Sequence, residues 1–143
     1  MKHIIRCYFA FLFLTAFAFS LAHAAPSAEV TKGTVWLQNQ VQADGSLAGD
    51  ATSLATALQA RAETLVTLKL LATIPSQLAD NIGNETEDNT EYLSRRIVAA
   101  SLALRPASSL ITQLNARHNV DGGVGGAASY ESGVLDTAYA LIA

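Results

Sequence analysis

Cysteine is nearly missing from this chain of 143 residues, and the only one, Cys7, lies in an N-terminal segment that reads as removable. Without it the remaining chain has no disulfide, no thiolate metal ligand and no thiol nucleophile. Phenylalanine is confined in the same way, since Phe9, Phe11, Phe13, Phe17 and Phe19 all precede residue 20. Basic residues are few as well. Taking Lys2 and Arg6 away with the leader leaves seven of the nine against twelve acidic ones, a formal charge of −5. That balance excludes the basic footprint of a nucleic-acid-binding protein. No stretch alternates apolar and polar residues for long enough to signal strands.

What is present begins with a leader. Met1 to Arg6 is short and basic, Cys7 to Leu21 is apolar apart from Thr15 and Ser20, and Ala22-His23-Ala24 closes with small residues at the two positions a signal peptidase reads. Those three parts, in that order, predict a signal peptide over 1–24, cleaved after Ala24, and a secreted or periplasmic protein. A retained anchor is the competing reading, because an apolar stretch of about 18 residues sits at the lower edge of what spans a bilayer. The polar Ala25-Pro26-Ser27 that follows favours cleavage. A lipoprotein would need a cysteine at the cut. The mature chain is then about 119 residues, room for one modest domain, whose core rests on packing alone. It divides into a linker over 25–32 and a helical region over 33–143, with no membrane span once the leader is gone.

Along that region, helical spacing recurs between Gly/Asp/Asn loops. A first short helix is expected near Gly33, running to Val41. Leu54 to Ala72 is the longest, apolar nearly all round, and therefore an inner helix buried on several sides. Ile74-Pro75 starts a short helix through Leu78, and Asp80 to Thr90 is an acidic loop. Asp88 and Glu91 have the spacing of an N-cap and its reciprocal partner, opening a helix over 89–104 whose face is Leu93, Ile97, Ala100 and Leu104. Pro106 restarts the chain and Ser108 can cap a helix with Leu110, Ile111 and Leu114 on its face. The glycine cluster Gly122 to Gly126 ends that helix. Leu135, Ala138, Tyr139 and Ile142 mark a last helix that lacks a closing cap, as though the chain were cut inside it.

The most informative feature is an internal repeat. Trp36-Leu37-Gln38-Asn39-Gln40 through Asp44-Gly45-Ser46 can be laid on Gln113-Leu114-Asn115-Ala116-Arg117 through Asp121-Gly122-Gly123, and Glu63-Thr64-Leu65 on Asp136-Thr137-Ala138 after a small gap. Each unit is a helix, an Asp-Gly turn, a loop, then an acid-Thr pair opening an apolar helix. Trp36, Gln40, Asp44 and Gly45, and in the second copy Asp121, Gly122, Gly123, Gly125, Asp136 and Thr137, carry the pattern. At these residues the chain resembles the prenyltransferase and squalene-cyclase repeat family. The resemblance implies an all-α fold, here a partial α/α toroid of about six alternating inner and outer helices. Leu47 and Val124 depart from the family, which usually has Trp or Phe there to stack between repeats. Six helices would make about half a toroid, so the resemblance also implies a fragment, or a barrel completed by further repeats or another protein.

The family's chemistry is not carried over. No Asp-rich acid motif is present, the mature chain has no cysteine for a zinc-binding Asp/Cys/His set, and no Cys-Gly-Glu-Gln thioester element occurs. No catalytic, cofactor-binding or metal-binding residue is therefore assigned, and no cofactor is expected. Other tempting residues have plainer readings. Asp44 and Asp121 suit turn bracing through side-chain to backbone hydrogen bonds, and Glu63 and Asp136 suit the positive end of a helix dipole. His118 reads as a cap or surface residue rather than a ligand. The Asp80–Glu91 segment could offer oxygens to Ca²⁺ but lacks the EF-hand glycine position, and Gly122 to Gly126 lacks the strand and lysine of a phosphate loop. The leading expectation is a secreted, non-catalytic helical repeat module for protein or surface binding. The alternatives are a fragment of an exported cyclase-like enzyme and a domain that binds a hydrophobic ligand between its inner helices.

Overall fold

The structure, a computed structural model, describes residues 25–49 and 54–143. The leader and its cleavage point lie outside the described residues. By backbone contacts residues 32–143 form one compact unit. Six helices are described: α1 Ala28–Gln40, α2 Ala57–Leu71, α3 Ser76–Gly83, α4 Thr90–Leu102, α5 Ser108–Asn115 and α6 Val134–Ile142. The described chain is all-α, its only β features being isolated bridges such as Val41–Leu47 and His118–Val124. No helix among the described residues is long and apolar enough to cross a membrane.

The helix ends show where local signals prevail and where distant contacts do. α1 already begins at Ala28, inside the stretch expected as a linker. α2 starts at a capping box: the Gln59 N–H donates to Thr56 Oγ1 (3.3 Å) and the Thr56 N–H donates to Gln59 Oε1 (3.0 Å), which satisfies two orphan donors at once. It is not buried all round as its composition suggested. Leu58, Ala62, Thr64, Leu65 and Leu68 face the core, while Leu70 and Leu71 are exposed. α3 runs past Leu78 to Gly83, because Ile82 falls one turn beyond Leu78 on the same buried face. The acidic loop therefore shrinks to residues 84–89.

At α4 the cap is Asn89, not Asp88: Asn89 Oδ1 accepts from the Tyr92 N–H at 2.8 Å. Leu93 and Ile97 lie on the buried face as spaced, but the helix stops at Leu102 and Leu104 is 90% exposed. The stop is a Schellman turn, with the Arg105 N–H donating to Ala100 O (2.8 Å) and the Leu104 N–H to Ser101 O (3.0 Å). Leu104 itself holds φ 56°, a conformation that glycine adopts freely and leucine does not. α5 is capped by Ala107 without a side-chain bond, so Ser108 is its first residue rather than its cap. Only Leu114 of its expected face is buried. It ends at Asn115, well before the glycine cluster.

α4 is the hub, packing against α2, α3, α5 and α6. One core cluster joins Leu47, Leu58, Leu65, Leu68, Leu78, Ile82 and Ala99, and a second joins Leu93, Ile97 and Leu114. Burying a leucine or isoleucine is worth about 1.5–3 kcal/mol, and α4 contributes to both clusters. α6 contributes no fully buried residue.

Candidate functional site

The two Asp-Gly turns have the same geometry, 77 positions apart. The Gly45 N–H donates to Gln42 O (3.0 Å) and the Gln42 N–H to Ser46 O (2.9 Å), and in the second copy the Gly122 N–H donates to Asn119 O (3.0 Å) and the Asn119 N–H to Gly123 O (2.9 Å). The carboxylates do the same work. Asp44 Oδ1 accepts from the Ser46 N–H (2.9 Å) and hydroxyl (2.6 Å), and Asp121 Oδ1 accepts from the Gly123 N–H (2.9 Å) and the Ser132 hydroxyl (2.7 Å). The Ser46 hydroxyl and amide hold the Asp44 carboxyl below its usual range, and the Gly123 amide with the Ser132 hydroxyl does so for Asp121. Gly45 and Gly122 sit at φ 80° and 83°, the left-handed region such a turn requires.

Their surroundings differ. The first turn is covered by α3: a Cβ on Gly45 would overlap the Gln77 carbonyl, and Asn81 Nδ2 donates to Asp44 O at 3.0 Å. Arg61 of α2 holds Asn81 in place through its Oδ1 (2.7 Å). Around Gly122 the same Cβ would meet nothing within 4 Å.

Beyond the second turn the chain doubles back. Asn119 Nδ2 donates to Tyr130 O (2.9 Å) and Ser132 Oγ (3.0 Å), Thr137 Oγ1 accepts from the Val124 N–H (2.9 Å), and a Cβ at Gly123 or Gly125 would strike Ser132 or Tyr130. Asp136 lies in the first turn of α6, its carboxylate against Gly133. Asp121, Gly122, Gly123, Gly125, Asp136 and Thr137 thus gather around one loop. Asp44 and Gly45 form the other turn, with Gln40 Nε2 donating to Trp36 O (3.2 Å) and Trp36 itself 63% exposed. Leu47 and Val124, where the resemblance implies aromatics, are 8% and 0% exposed, so aliphatic side chains fill those positions. His118 is exposed. Among the described residues no group of three or more His, Cys, Asp and Glu side chains could hold a metal ion.

No family model, no curated protein and no solved structure matches the chain. The chemistry of its surfaces is therefore read from its own side chains, and two polar clusters stand out that the repeat pattern does not single out. Arg117 is 5% exposed and donates through Nη1 to Thr90 Oγ1 and Gly126 O (3.2 Å each), and through Nη2 to Asp88. Thr90 in turn donates its hydroxyl to Gly125 O (2.5 Å), so the start of α4 is fastened to the second turn. The only sequence sign was that Arg117 aligns with Gln40 of the first copy.

The second cluster spans α2, α4 and α6. Gln59 Nε2 donates to Glu91 Oε1 (2.7 Å), and Arg95 donates to Glu91 through Nε (3.0 Å) and to Glu63 through Nη1 (2.6 Å). Arg95 also reaches the Tyr139 hydroxyl (3.4 Å), and its guanidinium carbon lies 5.3 Å from the centre of that ring, within cation–π range. Burial alone would lower the arginine's affinity for its proton, but the hydrogen bonds to Glu63 and Glu91 outweigh it and hold the charge more firmly than usual. Both carboxylates are engaged by Arg95. The arrangement thus has the chemistry of an anchor between helices rather than of a general acid and base.

Proposed function

We propose that this chain is an exported, non-catalytic repeat module of the prenyltransferase and squalene-cyclase type that works by binding a protein partner at the face of its second repeat. A partial toroid, with α2, α4 and α6 as its inner helices, is the arrangement this reading assigns. The observation that carries it is the inequality of two otherwise matching turns. The first is covered by α3, which presents a carbonyl at Gln77 and an amide at Asn81 one helical turn apart. The second is bare at Gly122, and Val120 in the turn and Val134, Leu135, Leu141 and Ile142 along α6, the helix that follows it, are exposed, each by 64% or more. Apolar exposure on this scale marks interaction surfaces in soluble proteins. The occupant that suits it is a helix of the α3 kind, with an apolar stripe, a backbone carbonyl set against the turn glycine and one amide side chain a turn further on to meet the turn.

Site-specific photo-crosslinking tests this. A crosslinker at position 135 should capture a discrete partner in the exported fraction, one at the polar position 87 should not, and Leu141→Glu should reduce the capture at least tenfold, as burying a charge in place of a leucine demands. Equal capture at 87 and 135, or capture indifferent to Leu141→Glu, would sink the proposal.

A further inference from the structure

A cavity of about 220 Å³ lies between α3, α4 and the start of α5, and shares no residue with the face proposed above. Two arginines line it, Arg96 of α4 and Arg105 of the connection to α5. Like charges around one small space repel, and the carboxylates nearby answer only part of that charge. Asp80 takes Arg105 but does not line the cavity, and no ion pair among the described residues involves Arg96. The one hydrogen bond of Arg96 runs from Nη2 to Gly83 O at 3.3 Å, longer than usual. Its Nε is buried without a partner. That atom is closed to any ligand, but the charge is shared across the whole guanidinium. Nη1, which makes no hydrogen bond, is not among the buried atoms. A half-buried charge without a counter-ion is costly, and an anion in the cavity offsets that cost. We propose that this cavity binds the phosphate group of a small monoester, held between the Arg96 and Arg105 guanidinium groups and the Ser109 hydroxyl.

Each part of the ligand answers a part of the wall. Arg105 spends Nη1 on Asp80 and Nη2 on Ser76 O, which leaves its Nε to match Arg96 Nη1. Ser109 lines the cavity and adds a hydroxyl that rotates to donate. Arginine is the side chain best matched to phosphate oxygens. Donors on three separate stretches of chain suit an ester phosphate, with three free oxygens, better than a carboxylate, with two. Ala100, Pro106 and Leu110 give the organic stem an apolar wall. The size follows from volume. At roughly 30 Å³ for each water-sized group, the cavity takes about seven non-hydrogen atoms, the size of ethyl phosphate.

Titrating the full mature chain with ethyl phosphate, inorganic phosphate and propionate at low salt, by calorimetry and by amide NMR, tests this. Ethyl phosphate should bind saturably at one site, shift the amides of residues 105–110, and bind more tightly than either other probe. Arg96→Gln should weaken it at least tenfold, as loss of a charged hydrogen bond implies. Asp80→Asn should tighten it severalfold, because Arg105 is then free for the anion. Ser109→Glu should abolish binding without lowering the melting temperature, since an acid suits the first turn of a helix; it keeps the test decisive where Arg96→Gln unfolds the chain. Propionate binding as tightly as ethyl phosphate would overturn the phosphate head, and inorganic phosphate binding as tightly would overturn the stem. Affinity that fails to rise in Asp80→Asn would remove Arg105 from the site. Unchanged binding in Ser109→Glu, or no saturable binding of ethyl phosphate below about 10 mM, would overturn the site itself.

Discussion

Replacing Arg117 by methionine keeps an unbranched apolar stem in a side chain that is 4% exposed and removes only the guanidinium. Three acceptors then lose a donor, and their burial decides how much each matters. Thr90 Oγ1 is fully buried and loses its donor, whereas Gly126 O keeps the Thr90 N–H at 2.9 Å. Hydrogen bonds from a charged donor contribute about 1.5–3 kcal/mol each, and an abandoned buried acceptor carries its full desolvation penalty. Against this, burying the guanidinium was itself costly, and that cost disappears with it. The balance is a destabilisation of about 2–3 kcal/mol. Asp88 is different. Its side chain is 77% exposed, so its ion pair with Arg117 is screened on one side and worth under about 1 kcal/mol. Urea unfolding followed by far-UV circular dichroism measures both, with equal slopes required for the comparison. Arg117→Met should lower the midpoint by several times as much as Asp88→Asn, and 1 M salt should leave the larger effect largely intact. Equal effects, or an Arg117→Met loss below about 0.5 kcal/mol, would refute the reasoning from burial.

The two turn glycines should respond unequally to alanine. Gly122→Ala should cost about 1 kcal/mol for the left-handed backbone alone, and Gly45→Ala about 2–4 kcal/mol because the new methyl also overlaps the Gln77 carbonyl; equal losses in urea midpoints would contradict the covered-versus-bare distinction. Leu104→Gly should raise stability by up to about 1 kcal/mol, since it relieves the left-handed strain of a side chain that packs on almost nothing; a lower melting temperature would show that the exposed leucine contributes to folding. The carboxyls of Asp44, held by Ser46, Asp80, held by Arg105, and Asp121, held by Gly123, all lie below their usual range in the folded chain. Their stabilisation is therefore present above the unfolded value of about 3.9 and is lost as pH falls through the lower folded values. The urea midpoint should be flat from pH 7 to 5 and fall below about 4, with a shallower fall in Asp121→Asn; a midpoint that rises on acidification would reverse the sign assigned here.

Helical spacing placed every described helix near its true position, because it depends only on which face of a short segment is apolar. The ends were less legible. Asp88 and Asn89 are both good caps by residue type, and the choice between them is made by Arg117, which takes Asp88 from 29 residues away. Glu91 could have closed a capping box at its own helix start. It is instead held by Gln59, 32 residues away, and by Arg95. α3 extends past Leu78 because a core is waiting for Ile82, and no local window contains that core. α2 looked buried on all sides by composition. The exposure of Leu70 and Leu71 reflects where its neighbours end, which lies outside its own sequence.

The repeat itself was legible because it is written in residues whose partners are close by. Asp44 and Asp121 each brace an amide two residues ahead, so Asp-Gly followed by a small residue carries nearly the whole geometry. What cannot be read in this way is what each turn does with its outer surface. Gly45 has two reasons to be glycine, its backbone angle and the approach of α3, while Gly122 has only the first. The two look alike in sequence because one sufficient reason is enough to fix the residue. The difference is carried instead by Gln77 and Asn81, which cover the first turn from another helix, and by Val134, Leu135 and Leu141, which leave an apolar surface on α6 after the second. A repeat built from local hydrogen bonds can therefore leave one turn covered and the other bare without changing its motif, and the distinction, among the described residues, is whether a separate helix such as α3 packs on the turn.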